Sequence, residues 1–364
     1  MKNNLIFKKI NDNHLKELGQ KKYKKKVINC EICSGKKFVT IQNIGRIGIP
    51  GVYGLYNIMI CKKCSFKFAN PRYVDDFYLK YYKKNYRKIA FGNFKPSRYY
   101  VKNQIFRGKS ILNYFKKKIG FGNMLDHGCA SGATMLAWRT AGWSAYGIDP
   151  HIPSVNYGIK KYNLNIKPNF GERLDFKNDF FDLILSLGSL EHSYDIDKTL
   201  KEIRRGLKIN GKMIIRWRSD NLIGSPLEYY NHNHYRFFTK KTLKNILANY
   251  GLKVITNCGL SLEGYSSFRY VLVKKISAKK IKLDKLNNVY KYEIKKHNQY
   301  NLKYHKICLK IRDLRKDKKG KFNEESFIKK FNIKLLAIQR QKAIRRFFFE
   351  TSKYLKTIQL YDKN

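Results

Sequence analysis

The stretch MLDHGCASGATMLAWRTAGWSAYGIDP, residues 124–150, constrains the fold of this chain more than any other. An apolar run ends at Asp126, a turn of small residues (GCASG) follows, then a helical pattern (ATMLAWRTAG), then a second apolar run closing on Asp149. This is the order of a first βαβ unit in a ligand-binding parallel sheet. Glycines there let the backbone turn tightly and approach a ligand, and an acid at the next strand end accepts hydrogen bonds from ribose hydroxyls. Gly128 and Gly132 are the expected turn glycines, and Asp149, 21 residues beyond Gly128, is the expected ribose partner.

From about residue 120 to 275, apolar strand-like runs alternate with amphipathic helical ones, which predicts an α/β fold with a doubly wound, Rossmann-like sheet. Strands are expected at 123–127, 144–149, 180–187 and 211–217. Two later runs, GLKVITNC and SSFRYVLVKK, follow each other with no room for a crossover helix, so they are expected to close the sheet as an antiparallel pair. NAD and S-adenosylmethionine both suit such a sheet. The dinucleotide pattern G-x-G-x-x-G would need glycine at 128, 130 and 133, but Ala130 and Ala133 occupy the last two. Asp126, two residues before the first glycine, is poorly placed beside a pyrophosphate and well placed beside an ammonium and a sulfonium. The antiparallel closing pair points the same way, to S-adenosylmethionine.

Upstream, CEIC (30–33) and CKKC (61–64) form two C-x2-C pairs with 27 residues between them. Cys30, Cys33, Cys61 and Cys64 supply four thiolates for one tetrahedral Zn²⁺, and a complete thiolate shell predicts a structural metal with no open position for water. Disulfides are the alternative, disfavoured in a cytosolic setting. The glycines between the pairs suit short strands and turns, so residues 28–70 read as a small zinc ribbon behind a basic arm, 1–27. Residues 71–119 read as a helical connector whose tyrosines 78, 81, 82 and 86 give it an aromatic face, expected to pack in a core. Residues 277–364 read as a basic helical extension, in which Phe327, Phe331, Leu335 and Ile338 share one helix face expected to dock against the protein.

No apolar run approaches the ~18 to 20 residues of a membrane span, and residues 1–26 lack the ~7 to 15 residue apolar core of a secretory signal. The expected location is cytoplasmic, with a peripheral position on the inner membrane face as the variant that the charge invites. That charge is +51, from 77 Lys+Arg against 26 Asp+Glu. It would attract a phosphorylated substrate, an anionic membrane surface or nucleic acid, and equally it fits a compositional drift that also enriches Asn and Ile.

The segments LDHGCASG, YGIDP, FFDLILSLGSLEHSYDIDKTLKEIRRGLKINGKMII and HYRFFTKKTLKNILANYGLKVI together resemble successive motifs of class I S-adenosylmethionine-dependent methyltransferases, over about residues 120–275. The resemblance implies that Asp126, Gly128, Ala130 and Gly132 form the loop on the methionine side, that Asp149 holds the ribose and that Glu172 lies near the adenine. With the two cysteine pairs and FKFANPRYVDDFYLKYYKKNY included, the chain from about residue 28 is similar to zinc-binding bacterial methyltransferases associated with sugar and cell-surface polysaccharide biosynthesis.

Methyl transfer is an in-line displacement, so the protein's part is to align a nucleophile and, where needed, to remove its proton. The acceptor is expected beyond the carboxyl ends of the strands, where GSLEH, RWRSDN and NHNHYR should arrive. His192, His232 and His234 are the candidate bases, because histidine titrates near neutral pH. Glu191 and Tyr235 could orient the substrate, and Arg216 with Arg218, two apart on a strand, could clamp a phosphate or a sugar carboxylate. The expected acceptor is a small sugar or nucleotide sugar, methylated on carbon or oxygen. An RNA or DNA methyltransferase exploiting the basic surface and a non-catalytic zinc-ribbon binding module are the competing readings.

Overall fold

The computed structural model describes residues 25–48, 52–73, 75–91, 94–218, 225–258, 268–277 and 289–316, with isolated positions at 8, 9, 11–13, 281, 283 and 353. The apolar face expected over Phe327–Ile338 and most of the N-terminal arm lie outside the described residues. Thirteen strands are described. They are β1 (Lys25–Lys26), β2 (Phe38–Arg46), β3 (Tyr53–Cys61), β4 (Lys67–Ala69), β5 (Arg72–Tyr73), β6 (Asn123–His127), β7 (Ser144–Ile148), β8 (Asn165–Lys167), β9 (Phe181–Leu187), β10 (Leu207–Arg218), β11 (Arg236–Phe237), β12 (Leu252–Cys258) and β13 (Phe268–Lys275).

The large sheet runs β12-β13-β10-β9-β6-β7-β8. Strands β6 to β10 pair in parallel, whereas β13 lies antiparallel to both β10 and β12, as the short connection between the last two runs requires. The central strands carry apolar residues without alternation because helices cover both faces. Met124, Leu125, Leu183, Ile184, Leu185, Met213, Ile214 and Ile215 are all buried, and they divide between two clusters on opposite sides of the sheet. The expected strand at 211–217 begins earlier, at Leu207, because the pairing with β9 resumes across an irregularity between Leu207 and Lys212. The edge strand β8, three residues long, was not foreseen.

Helix ends are set by local chemistry. Asp195 accepts from the Lys198 N–H at the start of helix Ile196–Gly206, and Thr239 with Thr242 forms a reciprocal cap on helix Lys240–Ala248. The connector forms helix Asp75–Lys80, a π-helical turn at Tyr81–Asn85, helix Tyr86–Phe91 and helix Arg98–Phe115. Gly108 in the last of these lets it lie on the carbonyl of Thr134, which opens the first helix of the sheet domain.

The cysteine-rich segment is a sheet of order β11-β4-β3-β2, so its outer strand comes from residues far along the chain. The helix Val289–Lys316 packs on the same sheet: Glu293 pairs with the buried Lys67 at 2.7 Å, and Tyr304 and Cys308 join Ile44 and Tyr53 in one apolar cluster.

Candidate functional site

The turn after β6 is held from below by its neighbour strand. The Gly128 and Cys129 N–H groups both donate to the Ile148 carbonyl, at 2.9 and 3.0 Å. Asp149 then ties the turn to the next helix: one carboxylate oxygen accepts from Ala130 N at 2.7 Å and the other from His151 N at 2.8 Å. Gly128, Ala130 and Gly132 all have positive φ, at 80°, 53° and 67°. At Gly128 a Cβ would stand 2.7 Å from Ser189 Cβ, so only glycine lets the loops after β6 and β9 approach this closely. Ala130 holds a left-handed conformation that costs an L-residue ~1 to 2 kcal/mol, and the Asp149 hydrogen bond to its N–H keeps it there.

These loops open on a cavity of about 970 Å³. Gly128, Ala130, Asp149 and Glu172 line one part of it, and Glu191, His192, Arg216, Arg218 and His234 line another. Glu172 braces the wall by accepting from the N–H groups of Tyr194 and Asp195 at 3.0 and 3.1 Å. Asp126 lies on β6 beneath the turn and not on the cavity wall. It is buried, its Oδ1 has no hydrogen-bond partner, and burial together with Asp149 pushes its pKa up to about 7, with Arg107 opposing. The cavity-facing backbone of Gly128 and Ala130 and the acid Asp149 at the next strand end form a donor and acceptor set that fits the methionine end and the ribose of S-adenosylmethionine, and the buried Asp126 beneath the turn can act on the cationic sulfur only through space.

The other part of the cavity is assembled from distant segments. Its histidine-bearing loop, Tyr230–Phe237, is zipped onto the cysteine-rich sheet: Arg46 N donates to Tyr230 O at 2.9 Å, His232 N to Arg46 O at 3.0 Å, and Ala69 N to Tyr235 O at 2.9 Å. Gly45 makes this contact possible, since a Cβ there would lie 2.3 Å from the Tyr230 carbonyl oxygen. A buried ion network reinforces it. Glu31, inside the first cysteine pair, binds Arg72 at 2.9 Å and Arg236 at 2.5 and 3.0 Å, while Arg236 also donates to the carbonyls of Ser193 and Tyr194.

This arrangement separates the three candidate histidines. His232 points into the ribbon, where its Nδ1 accepts from Gly48 N at 3.1 Å, and it is absent from the cavity wall. Tyr235 faces the connector, with its ring centroid 4.0 Å from that of Tyr78 and its hydroxyl donating to Tyr73 O at 3.3 Å, so neither His232 nor Tyr235 has the place expected of a substrate group. His192 and His234 do line the cavity, with ring centroids 4.5 Å apart. Burial, with Arg46 beside it, lowers the His192 pKa to about 4; burial, His192 and Arg218 push His234 well below the usual imidazole range. Burial raises Glu191 to about 7 against the pull of Arg216 and Arg218. Arg216 stacks over Phe268, 3.4 Å from the ring centroid, and Trp217 between the two arginines turns into the core.

Several wall residues were not anticipated: Arg46 from the ribbon, Tyr82, Tyr86, Arg87 and Arg107 from the connector, and Asn231 and Asn233 beside the histidines. Tyr78, Tyr81 and Tyr82 of the aromatic face are buried and Tyr86 is half-buried, and two hydroxyls reach the site: Tyr82 contacts His192 and Tyr81 donates to Asn233.

The four paired cysteines converge. Their sulfurs lie within 4.8 Å of one another, with Cys30–Cys64 at 3.3 Å and Cys33–Cys61 at 3.6 Å. Each pair ends in the same turn, Ser34 and Ser65 having φ of 55° and 61° and donating N–H to Cys30 O and Cys61 O. Sulfur atoms at the corners of a tetrahedron of ~2.3 Å bonds stand nearly this far apart, so the residues fit a Zn²⁺ ion.

Residues 98–257 match a family model described as a methyltransferase domain. Over these residues the chain carries a methyltransferase domain. The chain is 25% identical over 155 residues to a ubiquinone biosynthesis O-methyltransferase of Bartonella bacilliformis, covering 38% of this chain and 62% of the relative. It is 35% identical over 129 residues to the protein of that name in Pelagibacter ubique, covering 34% and 53%. The chain thus spans about three fifths of the first of these relatives and half of the second. Among solved structures, an S-adenosylmethionine-dependent methyltransferase from Aquifex aeolicus aligns with 56% of this chain and 100% of its own, at 17% identity and a TM-score of 0.39. A Burkholderia thailandensis 1,6-didemethyltoxoflavin-N1-methyltransferase with bound S-adenosylhomocysteine aligns over 48% and 79%, at 16% identity and a TM-score of 0.39. The ribbon lies outside the matched domain yet completes its cavity.

Proposed function

We propose that this protein transfers the methyl group of S-adenosylmethionine to a small anionic acceptor, a sugar or nucleotide sugar, with oxygen as the atom methylated. One observation carries the reading: the glycine turn with Asp149 and the histidine pair with Arg216 and Arg218 line a single cavity. Gly128, Ala130, Asp149 and Glu172, which line the cavity, would hold S-adenosylmethionine, which when bound supplies an electrophilic methyl group, while Asp126 and Gly132, both off the cavity wall, would shape the turn from beneath. Arg46, Arg216 and Arg218 would draw in the anionic part of the acceptor and disfavour a neutral one. Oxygen as nucleophile is supported by the relatives, which are named O-methyltransferases. Their names also favour a second reading, an acceptor of the ubiquinone-biosynthesis kind. The four cysteines would hold a structural Zn²⁺ whose task is to keep the ribbon folded under the histidine loop.

Calorimetric titration of the zinc-loaded protein with S-adenosylmethionine, S-adenosylhomocysteine and NAD tests the cofactor half. Binding of the first two and not NAD, reduced at least 100-fold by Asp149→Ala, is expected. Failure of folded protein to bind either sulfur compound would defeat the proposal. A methyl-transfer screen of nucleotide sugars, quinone precursors and RNA then sorts the acceptors.

A further inference from the structure

The two histidines on the cavity wall are the same residue type with similar burial, but their hydrogen bonds hold them in opposite tautomers. Tyr82 has one hydroxyl proton and two polar neighbours, the Asn233 carbonyl at 2.9 Å and His192 Nδ1 at 2.8 Å; the carbonyl can only accept, so both contacts are hydrogen bonds only when that proton goes to Asn233. Toward His192 Nδ1, 2.8 Å away, the Tyr82 oxygen can therefore only accept, so Nδ1 carries the ring proton. Nε2 of His192 is left with a lone pair. His234 is the reverse case. Its Nδ1 lies 3.3 Å from Asn231 Nδ2, and the orientation of that amide is fixed because Asn231 Oδ1 accepts from Asn233 N at 3.2 Å. An amide nitrogen only donates, so Nδ1 of His234 accepts and the proton of the neutral ring sits on Nε2.

The surroundings decide what such a pair can do. With Glu191, the two rings place ligand atoms within 4.8 Å of one another, a spacing that a divalent cation could use. Arg46, which pairs with Glu228 at 3.2 Å, lines the same wall with Arg216 and Arg218, and these guanidinium groups disfavour a cation there while favouring negative charge that develops on an oxygen. One ring with an open lone pair beside one ring with an N–H is suited to such an oxygen: the first takes its proton, the second holds its remaining lone pair.

We propose that His192 Nε2 is the proton acceptor of the transfer, that His234 Nε2–H is a hydrogen-bond donor to the same acceptor oxygen, and that Tyr82 is the positioning residue that fixes the His192 tautomer. This rests on the reading of the cavity as a site of methyl transfer to a hydroxyl. The hydroxyl oxygen forms its bond to the methyl carbon of S-adenosylmethionine, the C–S electron pair stays on sulfur as S-adenosylhomocysteine is produced, and the hydroxyl proton passes to His192 Nε2, which returns it to solvent. The connector helix thereby has a chemical role as well as a packing one.

The test needs no acceptor. Full-length, zinc-loaded protein labelled with ¹⁵N-histidine is examined by long-range ¹H–¹⁵N correlation at neutral pH, with resonances assigned through His192→Gln and His234→Gln. The expected result is the Nδ1–H form for His192 and the Nε2–H form for His234. Tyr82→Phe removes the acceptor of the Nδ1 proton and should move His192 to the Nε2–H form, a change that loss of packing alone would not make. The Nε2–H form at His192 in the unaltered protein overturns the proposal, and that measurement stands even if Tyr82→Phe fails to fold. An unchanged tautomer in folded Tyr82→Phe also overturns it, as does uptake of one Mn²⁺ or Zn²⁺ beyond the cysteine site with perturbation of both histidine signals. Titration of the unaltered sample with S-adenosylhomocysteine separates the two ideas: absence of binding defeats the methyltransferase reading and leaves the tautomer assignment intact.

Discussion

Glu31→Ala is predicted to damage both the ribbon and the remote half of the cavity. Glu31 is the anion between two buried cations: the side chains of Arg236 and Arg72 are 0% and 7% exposed, and that of Glu31 is 12%. Truncation leaves two guanidinium charges in a region from which water is excluded. Breaking a buried pair in this way costs about 3 to 5 kcal/mol. The backbone carbonyls of Ser193 and Tyr194 still accept from Arg236, which places the expected loss near the lower figure. Urea denaturation of zinc-loaded protein, with metal content measured in parallel, reads the effect, and Glu31→Gln should fall between the two. The pH dependence supplies a second check. Burial alone would raise the Glu31 pKa, but Arg236 and Arg72 outweigh it and hold it below the ordinary carboxylate value of 4.5. A depressed folded pKa means that this stabilisation is complete above about 4.5 and is lost as the pH falls below it, so the difference between variant and parent should shrink in acid. A loss under about 1 kcal/mol at neutral pH, with zinc retained, would refute the reasoning.

Asp126 carries the opposite sign. Its folded pKa of about 7 makes its ionisation unfavourable in the free protein, so stability should decline as the pH rises from about 4 through 7. Asp126→Asn should flatten that slope, stabilise the free protein at pH 8 by at most about 4 kcal/mol and weaken S-adenosylmethionine binding; a variant with the parent's pH profile would contradict this. Removing metal with a chelator should expose residues 231–237 to protease, because β4 and Arg46 hold that loop; continued protection after complete zinc removal would count against the coupling. Gly45→Ala should disturb the same loop with zinc in place, seen as shifted His234 signals, since the Tyr230 carbonyl cannot stay where it is.

What could be read in the sequence was local or periodic. The central strands were legible because full burial turns them into continuous apolar runs, and the antiparallel end followed from the few residues joining β12 to β13. The glycine turn and the cysteine pairs announced themselves because their chemistry fixes residue type at short spacing. By contrast, β8 has three residues and no pattern of its own, and β10 extends past an irregularity that breaks the periodicity. His232 and His234 are two apart, which on a strand would place them on one face. The chain turns at residues 232–233 instead, so one ring enters the ribbon and the other the cavity.

The larger gap between sequence and site concerns the ribbon, which read as a separate unit tied together by metal. In the structure its β4 pairs with β11 of the histidine loop, its Gly45 admits the Tyr230 carbonyl, its Glu31 neutralises Arg236, and its Arg46 reaches the cavity wall. Each contact joins residues more than 160 positions apart, which leaves no local trace in the chain. Their joint effect gives the ribbon a physical purpose. The histidine loop has only the two-residue strand Arg236–Phe237 and the short helix Pro226–Tyr229 as regular structure, too little to order itself. The ribbon sheet lends it a paired backbone edge, and the place of His234 on the cavity wall then depends on a segment whose four clustered cysteines lie away from the cavity lining.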